Sequence, residues 1–176
     1  MLGMFYKILK TGLVSEKPAE DSEISQLAPE LRRMVDKQFR GSLAIRMVDA
    51  GSCNGCELEI HALNNPYYGI ERYGVHFVAS PRHADALLVT GPVSRHMEAA
   101  LIDTYQAMPK PAYVIASGDC ACDGGEFGIS YASRGAVENV LPVDLKIPGC
   151  PPSPAQLMRG LLLLMGQRVP GRRVSR

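Results

Sequence analysis

The chain is 176 residues long, with 46% hydrophobic and 21% charged residues and a formal net charge of +1 at pH 7. That composition describes an ordinary globular domain, long enough to bury a core without disulfide staples. No basic excess points to nucleic acid, and the absence of Trp with only 6% aromatic residues argues against base-stacking platforms.

Residues 1–42 read as an N-terminal arm and helix that docks on a partner or a membrane surface. Met4, Phe5, Ile8, Leu9 and Leu13 recur at helical spacing, with Lys7 and Lys10 between them. Such a stretch lies on a lipid surface or docks into another protein. A partly ordered terminus is the plainer alternative. Ser15 to Asp21 is polar and breaks the pattern at Pro18. Ser22 to Phe39 predicts a helix with Ile24, Leu27, Leu31, Met34 and Val35 on one side, kinked or split at Pro29.

From Leu43 the pattern becomes strand, loop, helix, repeated. Strands are expected at Leu43–Val48, Val75–Val78, Ala86–Val89 and Ala112–Ala116, and within Val140–Ile147, where Pro142 interrupts. Helices are expected through Leu58–Leu63, Ser94–Met108 and Pro154–Leu164, the last with Pro in its first turn. This alternation predicts an α/β domain over residues 43–166: a flavodoxin-like, doubly wound, mostly parallel sheet. Residues 167–176 form a basic tail. Met1 to Val14 has no continuous apolar region, no small-residue cleavage site and no twin-arginine leader, which places the chain in the cytoplasm. The longest apolar run near the end, Leu161–Met165, is far too short to span a bilayer.

The five cysteines carry the functional signal. All five stand in three bent segments, Gly51-Ser-Cys53-Asn-Gly-Cys56, Gly118-Asp-Cys120-Ala-Cys122 and Pro148-Gly-Cys150-Pro-Pro152, with Cys120 and Cys122 close enough to compete for one place. In a reducing compartment, clustered cysteines indicate metal or catalysis. Each segment follows an expected strand, at Leu43–Val48, Ala112–Ala116 and Val143–Ile147, so all three open on one edge of the sheet, where such folds place ligands. Four thiolates converging from separate loops are what an iron–sulfur cluster needs. The two-residue spacer lets Cys53 and Cys56 turn to one centre, and the prolines around Cys150 keep that loop stiff and outside the sheet. Cys120 and Cys122 compete for the fourth place. Alternation along an extended segment puts both on one face. Cys120 is the better candidate because it directly follows Gly118-Asp119 at the strand end, leaving Cys122 as a packing thiol. A zinc site remains the alternative, although structural zinc usually takes two close-spaced pairs. A thiol–disulfide enzyme would not require Cys120 or Cys150.

These residues also carry a resemblance. Gly51-Ser-Cys-Asn-Gly-Cys-Glu-Leu-Glu59, Ser80 through Pro92, Gly118-Asp-Cys-Ala121 and Val143-Asp144 through Pro152 together resemble the small subunit of membrane-bound group 4 nickel–iron hydrogenases and formate hydrogenlyases. That family is related to the 20 kDa cluster-bearing subunit of respiratory complex I. The resemblance implies that Cys53, Cys56, Cys120 and Cys150 ligate one 4Fe–4S cluster. The cluster would be proximal to a nickel–iron site in a separate large subunit, with a ferredoxin-like subunit and integral membrane subunits as further partners. The implied function is electron transfer in an oxidoreductase complex, held peripherally on the cytoplasmic side of the cell membrane, with no complete active site in this chain. Complex I relatives carry adjacent cysteines where Asn54-Gly55 separate the pair here, and arginines at positions corresponding to Val78 and Pro92. Both departures favour hydrogenase over the alternative, a complex I-like quinone oxidoreductase.

Weaker signals remain. Glu57 and Glu59 stand at the start of an expected helix, where the helix dipole alone favours acids. By resemblance an acid here assists proton transfer, with Glu59 favoured. His61, His76, His83 and His96 are scattered and read as surface or interface side chains; Arg82 and Asp85 read as a local ion pair. Tyr67 and Tyr68 in Asn-Pro-Tyr-Tyr-Gly mark a turn. Arg134 and Glu138 carry no interpretable pattern.

Overall fold

The computed structural model describes residues 2–12 and 22–166. The polar break at Ser15–Asp21 and the basic tail lie outside the described residues. Eleven main elements follow in order: α1 (Leu2–Thr11), α2 (Ser22–Phe39), β1 (Leu43–Asp49), α3 (Gly55–Ala62), β2 (Val75–Phe77), β3 (Ala86–Thr90), α4 (Arg95–Ala107), β4 (Tyr113–Ser117), α5 (Asp119–Asp123), β5 (Leu145–Ile147) and α6 (Pro154–Gly166).

The strands form one five-stranded sheet in the order β2-β1-β3-β4-β5, parallel at every pairing. That is the flavodoxin-like doubly wound order, with the direction of winding reversing between β1 and β3. The central strands β3 (ALLVT) and β4 (YVIAS) are buried at every position, which is why they read as unbroken apolar runs in the sequence.

Alternation along the strands divides the core in two. Ile45, Leu88, Ile115 and Ile147 face Leu31 and Val35 of α2, Ile60 of α3, and Leu157, Met158 and Leu161 of α6. Val48, Leu87, Val89, Val114 and Ala116 face Leu101 of α4 and Ala121 of α5. The Gln38 side-chain amide donates to the carbonyl of Met165, tying α2 to α6. By contrast, Met4, Phe5, Tyr6, Ile8 and Leu9 of α1 are all exposed, so this helix adds nothing to either core.

Three expectations need correction. α2 runs unsplit through Pro29 because Leu31 and Val35, both fully buried, hold the turns beyond the proline against the sheet. β5 is only three residues long: Val137–Asn139 forms a 3-10 turn, and pairing with β4 begins at Leu145, past Pro142. The Arg82–Asp85 ion pair does not form; the Asp85 carboxylate accepts the amide of Ala44 at 3.0 Å. The turn at Tyr67–Tyr68 is present, with Asn65 Oδ1 accepting both amides at 2.9 Å.

Candidate metal centre

All three cysteine segments leave the carboxyl ends of their strands on the same edge of the sheet. After β1, Asp49 Oδ1 accepts the amides of Gly51 at 2.8 Å and Ser52 at 2.7 Å, turning the chain sharply out of the strand. Cys53 lies on this loop and Cys56 falls in the first turn of α3. After β4, Gly118 turns the chain at φ 90° and α5 begins at once, with Cys120 in its first turn. After β5, Gly149 presents Cys150, whose peptide bond to Pro151 is cis. The last two segments are tied together. Asp119 donates its amide to the Gly149 carbonyl at 2.9 Å, and its Oδ1 accepts the Gly149 amide at 2.7 Å.

Cys53, Cys56, Cys120 and Cys150 rim one cavity of about 110 Å³, completed by Ser52, Gly55, Gly91, Asp119, Gly149 and Pro151. Two glycines make this approach possible. A Cβ on Gly118 would stand 2.6 Å from Cys56 Sγ, and one on Gly91 would stand 2.4 Å from the Ser52 nitrogen. Both glycines also have positive φ, at 90° and 72°, which other residues adopt only with strain.

Cys122 is excluded from the cavity. The expectation that it shares a face with Cys120 assumed an extended chain. The helical turn of α5, closed by the Gly124 amide on the Cys120 carbonyl at 3.0 Å, points it inward. It is buried, and its thiol donates to the Ala116 carbonyl at 3.6 Å. Burial pushes this thiol up to about 11.

All five cysteines are free thiols. Burial pushes the Cys56 thiol up to about 12, reinforced by the negative charges of Glu57, Cys53, Cys120 and Cys150 in that order. Cys120 is raised by burial and then by Cys150 and Cys53. The upward shifts of Cys56 and Cys120 mean that a bound group bringing positive charge would be needed to hold these two as thiolates. A sulfur-only donor set of this kind fits an iron–sulfur group, whose iron ions supply that charge. The four thiols stand around the rim; among the described residues no three His, Cys, Asp or Glu side chains close on a single-ion position.

Glu59 lies partly exposed on α3, whereas Glu57 is buried, 5% exposed. Glu57 Oε2 accepts the Ser52 hydroxyl at 2.6 Å, and its Oε1 has no hydrogen-bond partner. Sequence reasoning passed over Ser52, Gly91 and Asp119. For Asp119, only its place between Gly118 and Cys120 hinted at a role. His61, His83 and His96 are exposed and His76 half-buried, all outside the cavity lining. Arg134 and Glu138, silent in sequence, pair with Glu98 at 2.8 Å and Lys146 at 2.6 Å.

Formate hydrogenlyase subunit 7 of Escherichia coli is 42% identical over 130 residues, covering 74% of this chain but 51% of that protein, so the chain spans about half the length of this relative. The probable membrane-bound hydrogenase subunit mbhJ of Pyrococcus furiosus is 44% identical over 118 residues, covering 67% of this chain and 71% of that one. Among solved structures, a chain of the archaeal membrane-bound sulfane sulfur reductase superposes with a TM-score of 0.64 at 34% identity, covering 78% of this chain and 74% of that chain. The family model for the NADH ubiquinone oxidoreductase 20 kDa subunit matches residues 53–164, from the first cysteine of the cavity to the last turns of α6. With well over half of its length so matched, the chain belongs to the NADH ubiquinone oxidoreductase 20 kDa subunit family, and so to the subunits of oxidoreductase complexes.

Proposed function

We propose that this chain is the electron-transfer subunit of a membrane-associated nickel–iron hydrogenase complex and carries one 4Fe–4S cluster on Cys53, Cys56, Cys120 and Cys150. The observation that carries the reading is the convergence of four thiols, from the ends of β1, β4 and β5, on one cavity. The similarity to a formate hydrogenlyase subunit and a membrane-bound hydrogenase subunit supports the hydrogenase assignment.

When bound, the cluster supplies one-electron redox chemistry. The chain's own residues hold and enclose it. The Asp119–Gly149 bonds fix the Cys120 and Cys150 segments against each other. Gly118 leaves room for the Cys56 sulfur, and Pro151 covers part of the cavity. In this reading the nickel–iron site belongs to a separate large subunit, and a ferredoxin-like subunit exchanges electrons with this one. Glu59, partly exposed in the turn that contains Cys56, assists proton transfer at the large-subunit interface. The complex sits peripherally on the cytoplasmic side of the cell membrane, with residues 1–42 docking on integral membrane subunits or the bilayer surface. No helix among the described residues is long and apolar enough to cross a membrane, which fits attachment of this kind.

The second reading is a complex I-like quinone oxidoreductase, favoured by the description of the matched family. Against it stand the spacing of Cys53 and Cys56 and the residues Val78 and Pro92, where complex I relatives carry arginines.

Metal and sulfide analysis of the anaerobically purified chain, with electron paramagnetic resonance of its reduced form, tests the cluster. About four iron and four sulfide per chain are expected. Zinc in place of iron would overturn it. Nickel in the intact complex separates the hydrogenase reading from the quinone reading.

A further inference from the structure

Glu57 follows Cys56 directly and is almost wholly buried. A carboxylate taken out of water with one oxygen unpartnered lowers the stability of a fold. An apolar residue would serve the core better at this position, since Ile60, one turn further along α3, is buried on the same side. What the acid contributes is its contact with Ser52. Its Oε2 accepts the Ser52 hydroxyl at 2.6 Å, and Ser52 Oγ in turn accepts the amide of Asn54 at 3.0 Å. Asn54 is one of the few non-glycine residues with positive φ, at 71°, a conformation that needs outside support. The Ser52 backbone is fixed from the other side by Asp49 Oδ1 at 2.7 Å and by the close approach of Gly91. The link therefore joins the residue before Cys53 to the residue after Cys56 and closes the loop on itself.

We propose that Glu57, acting through the Ser52 hydroxyl, is a positioning residue that locks the Cys53–Cys56 loop in the shape that receives the bound metal group. This inference rests on the metal-centre reading above and adds to it a residue that touches none of the four thiols' shared centre. Because the effect runs through one hydrogen bond, Ser52 and Glu57 act as a unit, and glutamine, whose side-chain oxygen still accepts the hydroxyl, replaces glutamate.

The test uses the full chain purified anaerobically with its metal. Iron and sulfide are measured first, and iron release to bathophenanthroline is then followed in native buffer. Ser52→Ala and Glu57→Leu each speed release by about tenfold or more, the range seen when an outer partner of a metal ligand is lost. The double variant releases iron no faster than the faster single variant, because both cut the same link. Glu57→Gln stays within about twofold of wild type. Thermal melts report folding, and if Glu57→Leu does not fold, Ser52→Ala against Glu57→Gln carries the comparison. Wild-type release rates in iron-loaded Ser52→Ala, additive effects in the double variant, or Glu57→Gln releasing iron as fast as Ser52→Ala would overturn the inference alone. A wild-type chain without iron would overturn the metal-centre reading and this inference with it, so the first measurement shows which has failed.

Discussion

At the amino ends of the strands, Asp85 and Asp144 each stand one residue ahead of a strand and close the neighbouring one. Asp85 Oδ2 accepts the Ala44 amide at 3.0 Å and Asp144 Oδ2 accepts the Val114 amide at 2.8 Å. Their backbones pair as well, with the Asp85 amide on the Ala44 carbonyl at 2.8 Å and the Asp144 amide on the Val114 carbonyl at 2.9 Å. At the carboxyl ends, Gly51, Gly91, Gly118 and Gly149 all have positive φ, two thiols of the cavity are pushed up, and Glu57 Oε1 and Ser117 Oγ are buried without partners. One end is complete within the chain and works for stability. Positive φ also occurs at the amino ends, at Arg40, Gly41 and Gly74, so what sets the cysteine end apart is its unmet bonding capacity, the condition in which a fold departs from local consistency for a functional reason.

The largest effect that separates the two ends is removal of a cavity thiol. Replacing Cys53, Cys56, Cys120 or Cys150 by Ala is expected to abolish the iron–sulfur absorbance and resonance signals, since in the proposed reading each supplies one of four ligands. Cys122→Ala keeps the signals and lowers stability by about 1 kcal/mol, through the lost packing of a small buried side chain. A Cys122 variant that loses the cluster while one of the four keeps it would reverse the assignment of the fourth ligand.

Gly118→Ala comes next. The new methyl meets Cys56 Sγ at 2.6 Å, and the backbone there has φ 90°. Strain of this kind costs about 1–3 kcal/mol. The thiol also has to move, so iron content per chain falls well below that of wild type. Full iron loading would show that the cavity adjusts more freely than its packing implies.

At the opposite end the expected change is in stability alone. Asp85→Ala leaves the half-buried amide of Ala44 without its acceptor, costing about 2 kcal/mol in denaturant unfolding. Iron content stays at the wild-type level. Loss of iron in this variant would mean that the two ends are coupled through the sheet and would undo the contrast drawn between them.

Legibility in the sequence follows the same division. β3 and β4 were readable because strands buried on both faces become continuous apolar runs, and the common edge of the three cysteine segments followed from strand order alone. β5 lies within the expected Val143–Ile147 and starts two residues later, at Leu145, because the Asp144 carboxylate and amide already close on Val114 ahead of the strand. The helical turn of α5 could not be read from Gly118-Asp-Cys-Ala-Cys: a five-residue helix set by a glycine φ of 90° leaves no periodic trace. Glu57 could have been found, because it lies three residues before Ile60 and so shares a helix face with a core residue. Helix-dipole reasoning treats Glu57 and Glu59 alike, and only the direction in which α3 packs tells them apart.

That difference frames the smallest expected effect, which lies within the functional end. Glu57 is buried and held by Ser52; Glu59, two residues on, is turned about 200° round α3 and partly exposed. If Glu59 moves protons at an interface, its shape matters less than its ability to ionise. Glu59→Gln preserves shape and removes that ability. Hydrogen turnover by the assembled complex is expected to fall roughly tenfold, below the usual range for a proton-transfer group because other routes remain open to water. The cluster spectrum stays as in wild type, and stability stays within about 0.5 kcal/mol, as for an ordinary surface change. Unchanged turnover would remove the proton-transfer role from Glu59. Slower turnover with an altered spectrum would mean that the substitution acts on the cluster loop, as Glu57 is inferred to do, and would merge the two acids into a single structural function.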